Sequence, residues 1–338
     1  MNRKLAIPFL CILAWAAPVI AGATGFAQRE EVRAFIEEMH DRHGFDRVRL
    51  VRFFSQVQPQ PKAIRAIAPP KEPTARSWQR YRTRFVEPVR IEGGLRFWEE
   101  NRQTLEAVQR AYGVPVEIIV AIIGIETIYG RHIGKFPTLA TLATLAFDYP
   151  PRSDLFRGEL EALLLLARES RRSPLDYTGS YAGALGMPQF LPSSIRYWAV
   201  DFDGDGRIDL DTSKADAIAS VANFLASHGW ETGGPVAAPA SVIGQRYGEL
   251  LDAGILPRLL PAEMAAYGVS SAPDSPQLPC ALIDLPTPEE ATEYWLGYRN
   301  FYVITRYNRS SFYAMTVYAL SGALKAKREA QLAARQTL

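Results

Sequence analysis

A glutamate at position 126 stands inside an apolar run that extends from Pro115 to Gly130 and holds Ile118, Ile119, Val120, Ala121, Ile122, Ile123, Ile125 and Ile128. An ionised carboxylate in such a setting is costly to desolvate, and the site raises the acid's pKa. A carboxylic acid that keeps its proton near neutral pH can protonate a leaving group, which is what cleavage of a glycosidic bond requires. Glu117, at the start of the same run, falls on the opposite side of a helix, where a carboxylate near the N-terminus is favourable. Position alone leaves a second reading of Glu126 open: a buried structural glutamate paired with Arg131 or Arg152.

The second constellation is Asp201-Phe-Asp203-Gly-Asp205-Gly206-Arg207-Ile208-Asp209-Leu-Asp211-Thr212. It follows the start of an EF-hand loop: carboxylates at positions one, three and five, glycine at six, the Arg207 carbonyl at seven and Asp209 at nine. Hard oxygens alternating along a sharp turn can converge on Ca²⁺, and Ile208 is the hydrophobic anchor. Thr212 replaces the usual bidentate glutamate at position twelve, so Asp216 is the candidate last ligand. The alternative is a solvated acidic turn.

Other catalytic patterns are missing from the sequence. His40, His43, His132 and His228 have no zinc spacing, no glycine loop is built to cradle phosphate, and Ser180 lacks the nucleophile-elbow spacing. No organic cofactor is expected.

The elements that must carry these residues are mostly helical. Apolar spacing predicts helices over about 28–44, 75–86, 95–112, 138–147, 153–170, 217–228 and 310–326, with Pro115 opening the helix of Glu126 and Gly113 ending the one before. The proline-rich stretch 58–74 reads as a connecting segment, and 177–192 as a glycine-rich loop suited to close approach of a ligand or to a tight connection. Residues 281–285, 293–298 and 301–307 alternate as strands, with Gly297 available for a turn. The expected fold is mainly α (α+β).

The chain has 338 residues, 48% of them hydrophobic and 22% charged, and a formal charge of +2. It can bury a large core, and it offers no basic field for nucleic acid. Arg3 and Lys4, the apolar run Leu5–Ile20 and the small residues Ala21-Gly-Ala23 form the pattern of a secretory signal peptide over 1–23, with cleavage as late as 27 allowed. Pro8-Phe-Leu10 before Cys11 lacks the small residues of a lipoprotein site. Cys280 is then the one cysteine of the mature chain, and no internal disulfide is expected. No transmembrane anchor is expected either.

Taken together, Gly124-Ile-Glu126-Thr-Ile-Tyr-Gly130, Gly183-Ala-Leu-Gly-Met-Pro-Gln189-Phe-Leu-Pro-Ser-Ser194, Ala199–Gly206, Ala217–Phe224 and Arg306-Tyr-Asn308 resemble the membrane-bound lytic murein transglycosylase B family. The likeness spans about residues 29–325. It implies a lysozyme-like helical catalytic core (about 113–232 and 300–328) with an extra helical subdomain, an EF-hand-like loop at 201–216 and a small C-terminal β-hairpin, in a catalytic domain over 28–330. It implies an enzyme, a carbon-oxygen lyase that cleaves the β-1,4 bond between N-acetylmuramic acid and N-acetylglucosamine in peptidoglycan glycan strands and leaves a 1,6-anhydro product. By position it makes Glu126 the sole acid/base. Arg152, Ser180, Gln189, Tyr307, Asn308 and Tyr313 match groove positions, with Tyr307 and Tyr313 offering faces to sugar rings. Asp201, Asp203, Asp205, Arg207 and Asp216 match a structural calcium site. Without a lipidation cysteine, a soluble, monomeric, periplasmic relative is expected, with wall-synthesis proteins as candidate partners. A hydrolytic muramidase and a non-catalytic peptidoglycan-binding protein are the competing readings.

Overall fold

The computed structural model describes residues 25–69 and 76–336; the expected signal peptide at 1–23 lies outside them. The chain divides into a unit ending at Gln58 and one beginning at Pro59. In the first, α1 (Glu30–His43) buries Val32, Phe35, Ile36 and Met39 at helical spacing and stops at Gly44, whose φ is +66°. Asp46 caps α2 (Arg47–Gln56) by accepting from Arg49 N–H at 2.7 Å, a bond that satisfies one orphan donor of the first turn. Phe54 meets Phe35 edge to face at 6.1 Å.

The second unit runs through α3 (Pro61–Ile67), α4 (Trp78–Phe85), α5 (Pro88–Glu100), α6 (Arg102–Tyr112), α7 (Val116–Thr127), α8 (Thr138–Asp148), α9 (Ser153–Glu169), α10 (Pro192–Trp198) and α11 (Lys214–Ser227). A four-stranded antiparallel sheet with α12 (Tyr247–Asp252) and α13 (Pro261–Met264) follows, then α14 (Arg299–Tyr307) and α15 (Ser311–Gln336). Strands β1 (Phe136–Pro137) and β2 (Thr178–Gly179) pair before α8 and after α9. The sheet has the order β4 (Val269–Ser271), β3 (Ala237–Val242), β6 (Glu293–Gly297), β5 (Ala281–Leu285). Its small core holds Leu250, Met264, Val269, Cys280, Leu282 and Leu296.

Helix α7 is the axis of the second unit. Ten of its twelve residues are buried, and α5, α6, α11 and α15 all pack on it. An all-round apolar helix is stable only inside such a cage. Its bend of 114° from α6 is set at Gly113, where φ is +71°. Among the described residues no single helix is long and apolar enough to cross a membrane.

Four expectations change. The proline-rich stretch 58–74 contains α3, because Pro61 sits at the first helical turn, where its missing N–H costs nothing. The helix expected over 95–112 is two helices: Asn101 donates from Nδ2 to Phe97 O at 2.7 Å and ends α5 by offering that carbonyl a side-chain partner. Pro115 is the N-cap of α7 rather than its first residue. Residues 301–307 form α14, not a strand, so the C-terminal hairpin is β5 with β6, inside the larger sheet. The decisive residue is Asn300, fully buried, which accepts from Glu231 N–H and donates to Glu231 O and Gly234 O. From that anchor the helix buries the apolar Phe301, Val303 and Ile304.

Candidate active site

Glu126 lies in the last turn of α7, half-buried, with Ile122, Ile123 and Ile125 buried around it. Burial pushes its carboxyl up to about 7, against the opposing effect of one hydrogen bond: Tyr313 Oη donates to Glu126 Oε1 at 2.6 Å. Among the described residues no cation pairs with Glu126, so the structural glutamate paired with Arg131 or Arg152 does not form. Glu117 is ion-paired with Lys325 at 3.5 Å instead.

Three tyrosines from three helices face the acid. Tyr313 of α15 is 2% exposed, so it offers Glu126 a hydroxyl rather than offering a sugar its face. Tyr307 of α14 lies parallel to it, with 6.3 Å between centroids and 11° between planes. Tyr81 of α4 packs on Phe312. Burial, and then the Glu126 charge, push the hydroxyls of all three tyrosines up. They therefore stay neutral donors across the range in which Glu126 titrates. Sequence reasoning missed Tyr81; its position follows only from the packing of α4 on α15.

The glycine-rich loop is stitched to α7 and α14 through Met187 and Pro188, and to the segment after α7 through Gln189. Thr127 Oγ1 donates to Met187 O at 2.9 Å and Tyr307 Oη to Pro188 O at 2.6 Å. Gln189, at φ +52°, donates from Nε2 to Ile133 O at 3.1 Å and Gly186 O at 3.0 Å. Ser180 Oγ accepts from Ala182 and Ala184 N–H groups and closes the preceding turn. The structure thus brings Glu126, Tyr307, Tyr313 and the loop of Ser180 and Gln189 into one connected network. Arg152 and Asn308 stand apart from that network. Arg152 is exposed at the start of α9 with its guanidinium 5.3 Å from the Phe156 ring. Asn308 is exposed immediately after α14.

A second buried carboxylate, unforeseen from sequence, is Glu159 of α9, 6% exposed and also pushed up by burial. Its oxygens accept from Ser193 N–H at 3.0 Å and Ser193 Oγ–H at 2.6 Å. It caps the first turn of α10 and is committed there.

In the aspartate loop, carboxylate oxygens of Asp201, Asp203 and Asp205 lie within 4.8 Å of one another. This exposed cluster of hard oxygens fits a calcium ion. Asp216 does not join it. At 1% exposure, its oxygens accept from Phe202 N–H and Asp209 N–H at 2.9 Å each, so it ties the loop to α11. Thr212 Oγ1 donates to Asp209 Oδ2, and Ser213 Oγ donates to Asp203 Oδ2 at 2.7 Å.

A carboxyl pushed up to about 7 at the end of a buried helix, with a neutral tyrosine donating to it, is a group able to serve as a general acid. Residues 27–322 match the family described as the transglycosylase SLT domain. The chain belongs to that family. It is 41% identical over 313 residues to the membrane-bound lytic murein transglycosylase B of Escherichia coli (strain K12), covering 88% of this chain and 84% of that protein. The crystal structure of soluble lytic transglycosylase SltB1 from Pseudomonas aeruginosa superposes with a TM-score of 0.82 at 43% identity, over 88% of this chain and 99% of that one. An Escherichia coli lytic transglycosylase in complex with calcium gives a TM-score of 0.78 at 40% identity, over 90% and 95% of the two chains. The mainly helical, lysozyme-like fold and the enzyme class expected from sequence agree with these likenesses.

Proposed function

We propose that this enzyme cleaves the β-1,4 bond between N-acetylmuramic acid and N-acetylglucosamine in peptidoglycan, with Glu126 acting alone. The observation that carries the reading is a half-buried acid that holds its proton to about 7 while hydrogen-bonded to Tyr313. The buried carboxylates Glu159 and Asp216 are committed elsewhere, the first to Ser193 and the second to the N–H groups of Phe202 and Asp209.

Glu126 gives its proton to the glycosidic oxygen as the bond from the muramic anomeric carbon to that oxygen breaks. The resulting carboxylate then takes the proton of the muramic C6 hydroxyl, whose oxygen bonds to the anomeric carbon. The product is a 1,6-anhydro ring, no water is consumed, and Glu126 ends protonated as it began. An inverting or retaining hydrolase would need a second carboxylate about 5–9 Å away as base or nucleophile. Tyr313 orients the reacting carboxyl. Gln189 Oε1, Ser180, Tyr307, Arg152 and Asn308 line the groove in this reading, within a catalytic core of about 113–232 and 300–328. Asp201, Asp203, Asp205 and the Arg207 carbonyl hold a structural calcium ion, which stiffens the loop between α10 and α11 and takes no part in the chemistry. The enzyme works in the periplasm after removal of residues 1–23.

Mass spectrometry of digested murein tests the reaction. Anhydromuramic ends are expected; reducing muramic ends alone would make the enzyme a hydrolase. Glu126→Gln should bind murein and release nothing, and an active variant would refute the role given to Glu126.

A further inference from the structure

The turn that follows Glu126 is strained in a way the catalytic reading leaves unexplained. Ile128, Tyr129 and Gly130 have φ of +51°, +60° and +85° in succession. A β-branched residue in the left-handed region is an outlier, and such conformations persist only where surrounding structure holds them. Ile128 N–H and Tyr129 N–H donate back to Gly124 O and Ile123 O, closing α7 with the left-handed position filled by isoleucine instead of glycine.

What holds this turn is visible on α5. Tyr129 Oη donates to Arg90 O at 2.7 Å, and Arg90 Nε donates to Gly124 O at 3.1 Å. Each residue therefore fastens the other's helix. The Tyr129 ring is stacked on Phe97 at 5.4 Å between centroids and seated against three glycines. A Cβ at Gly93 would stand 3.0 Å from the ring, and one at Gly94 or Gly124 would overlap the hydroxyl. Arg90 is itself fixed by Glu87 Oε1 and Arg84 O, both at 3.2 Å. On the other side, Thr127 Oγ1 accepts from Gly130 N–H at 3.0 Å while bonded to Met187 O.

We propose that Tyr129 and Arg90 form a positioning clamp that holds the left-handed turn after α7 and so fixes where the Glu126 carboxyl points and how much water reaches it. Neither residue touches the reacting atoms; both act through the last turn of the helix that carries Glu126. The clamp rests on the acid/base role given to Glu126 above. The titratable groups facing that carboxyl are Tyr81 of α4, Tyr307 of α14 and Tyr313 of α15, and the clamp leaves all three in place.

Tyr129→Phe keeps the ring in its glycine seat and removes one hydrogen bond. We expect kcat to fall about tenfold with KM within about twofold, since an interaction that orients the acid acts mainly in the transition state. The basic limb of the kcat–pH profile should move to lower pH by about half a unit or more as water reaches the carboxyl. In the Tyr129→Phe background the stability gap between E126Q and its Glu126 parent should still open near 4.5, but it should level off at lower pH and at a smaller value. Gly124→Ala, which displaces the ring, should lose both stability and kcat. Adding Tyr129→Leu should restore the melting temperature but not kcat. An unmoved kcat and pH profile in Tyr129→Phe, or recovery of kcat together with stability in the double variant, would overturn the clamp. Activity in E126Q would overturn the Glu126 role instead, so the two failures are read on different variants.

Discussion

Replacing Glu126 by glutamine should stabilise the protein, and by an amount that depends on pH. The folded state holds this proton up to about 7, against an ordinary value of 4.5. Below pH 4.5 the carboxyl is protonated in both folded and unfolded chains, and wild type and variant should be equally stable. Between 4.5 and 7 the unfolded chain has released the proton while the folded chain retains it, so stability is lost as pH rises, at about 1.4 kcal/mol per unit. Above 7 the carboxyl is ionised in both states and the loss levels off at about 3 kcal/mol, an upper figure for a half-buried group that water can partly reach. Glutamine is close in volume, keeps an oxygen to accept from Tyr313 Oη, and never ionises. Urea unfolding of both proteins from pH 4 to 8.5, with calcium held constant, measures the difference. The gap should open between about 4.5 and 7 in favour of E126Q. A gap independent of pH, or one favouring wild type as pH rises, would refute the claim that burial dominates this carboxyl. Activity and stability would then be opposed at one atom, since the desolvation that destabilises the fold is what keeps the acid charged with its proton.

The catalytic rate should decline above about pH 7, as the population of protonated Glu126 falls; a rate that climbs through pH 8 in a kcat–pH profile would contradict the acid role. Calcium chelation should lower the melting temperature in calorimetry, and Asp203→Ala should remove most of that dependence, because the acidic cluster loses a ligand at its centre. Gly186→Ala should cost about 2 kcal/mol or more by urea unfolding: the position has φ of +69° and a Cβ would lie 2.6 Å from Leu210 Cβ. Thr127→Val should cost about 1–3 kcal/mol and slow catalysis, because it unties Met187 O from the end of α7.

Much of this protein was legible from residue order. The helical periods of α1, α7, α8, α9 and α11 are strong because each buries one side or all of itself in the core. Glu126 was visible because one acid in an apolar run is costly, and the aspartate loop because its spacing repeats a known ligand pattern. The failures have physical causes. Residues 301–307 alternate like a strand, and the buried amide of Asn300 decides for a helix. Asp216 has the right type and place for a ligand, yet two backbone amides occupy it. Glu159 looks like an ordinary helix glutamate until α10 brings Ser193 onto it.

By itself, then, the sequence determined which residue could carry a proton and which loop could hold a cation, because cost of burial and ligand spacing are local properties. Only the tertiary structure decided what those residues meet. Tyr313, 187 positions away, finds the Glu126 carboxyl; Tyr307 closes on Pro188; and Tyr129 settles on glycines from two helices. Contacts between distant segments depend on how helices pack against one another, and helical spacing records which face is buried without recording against what.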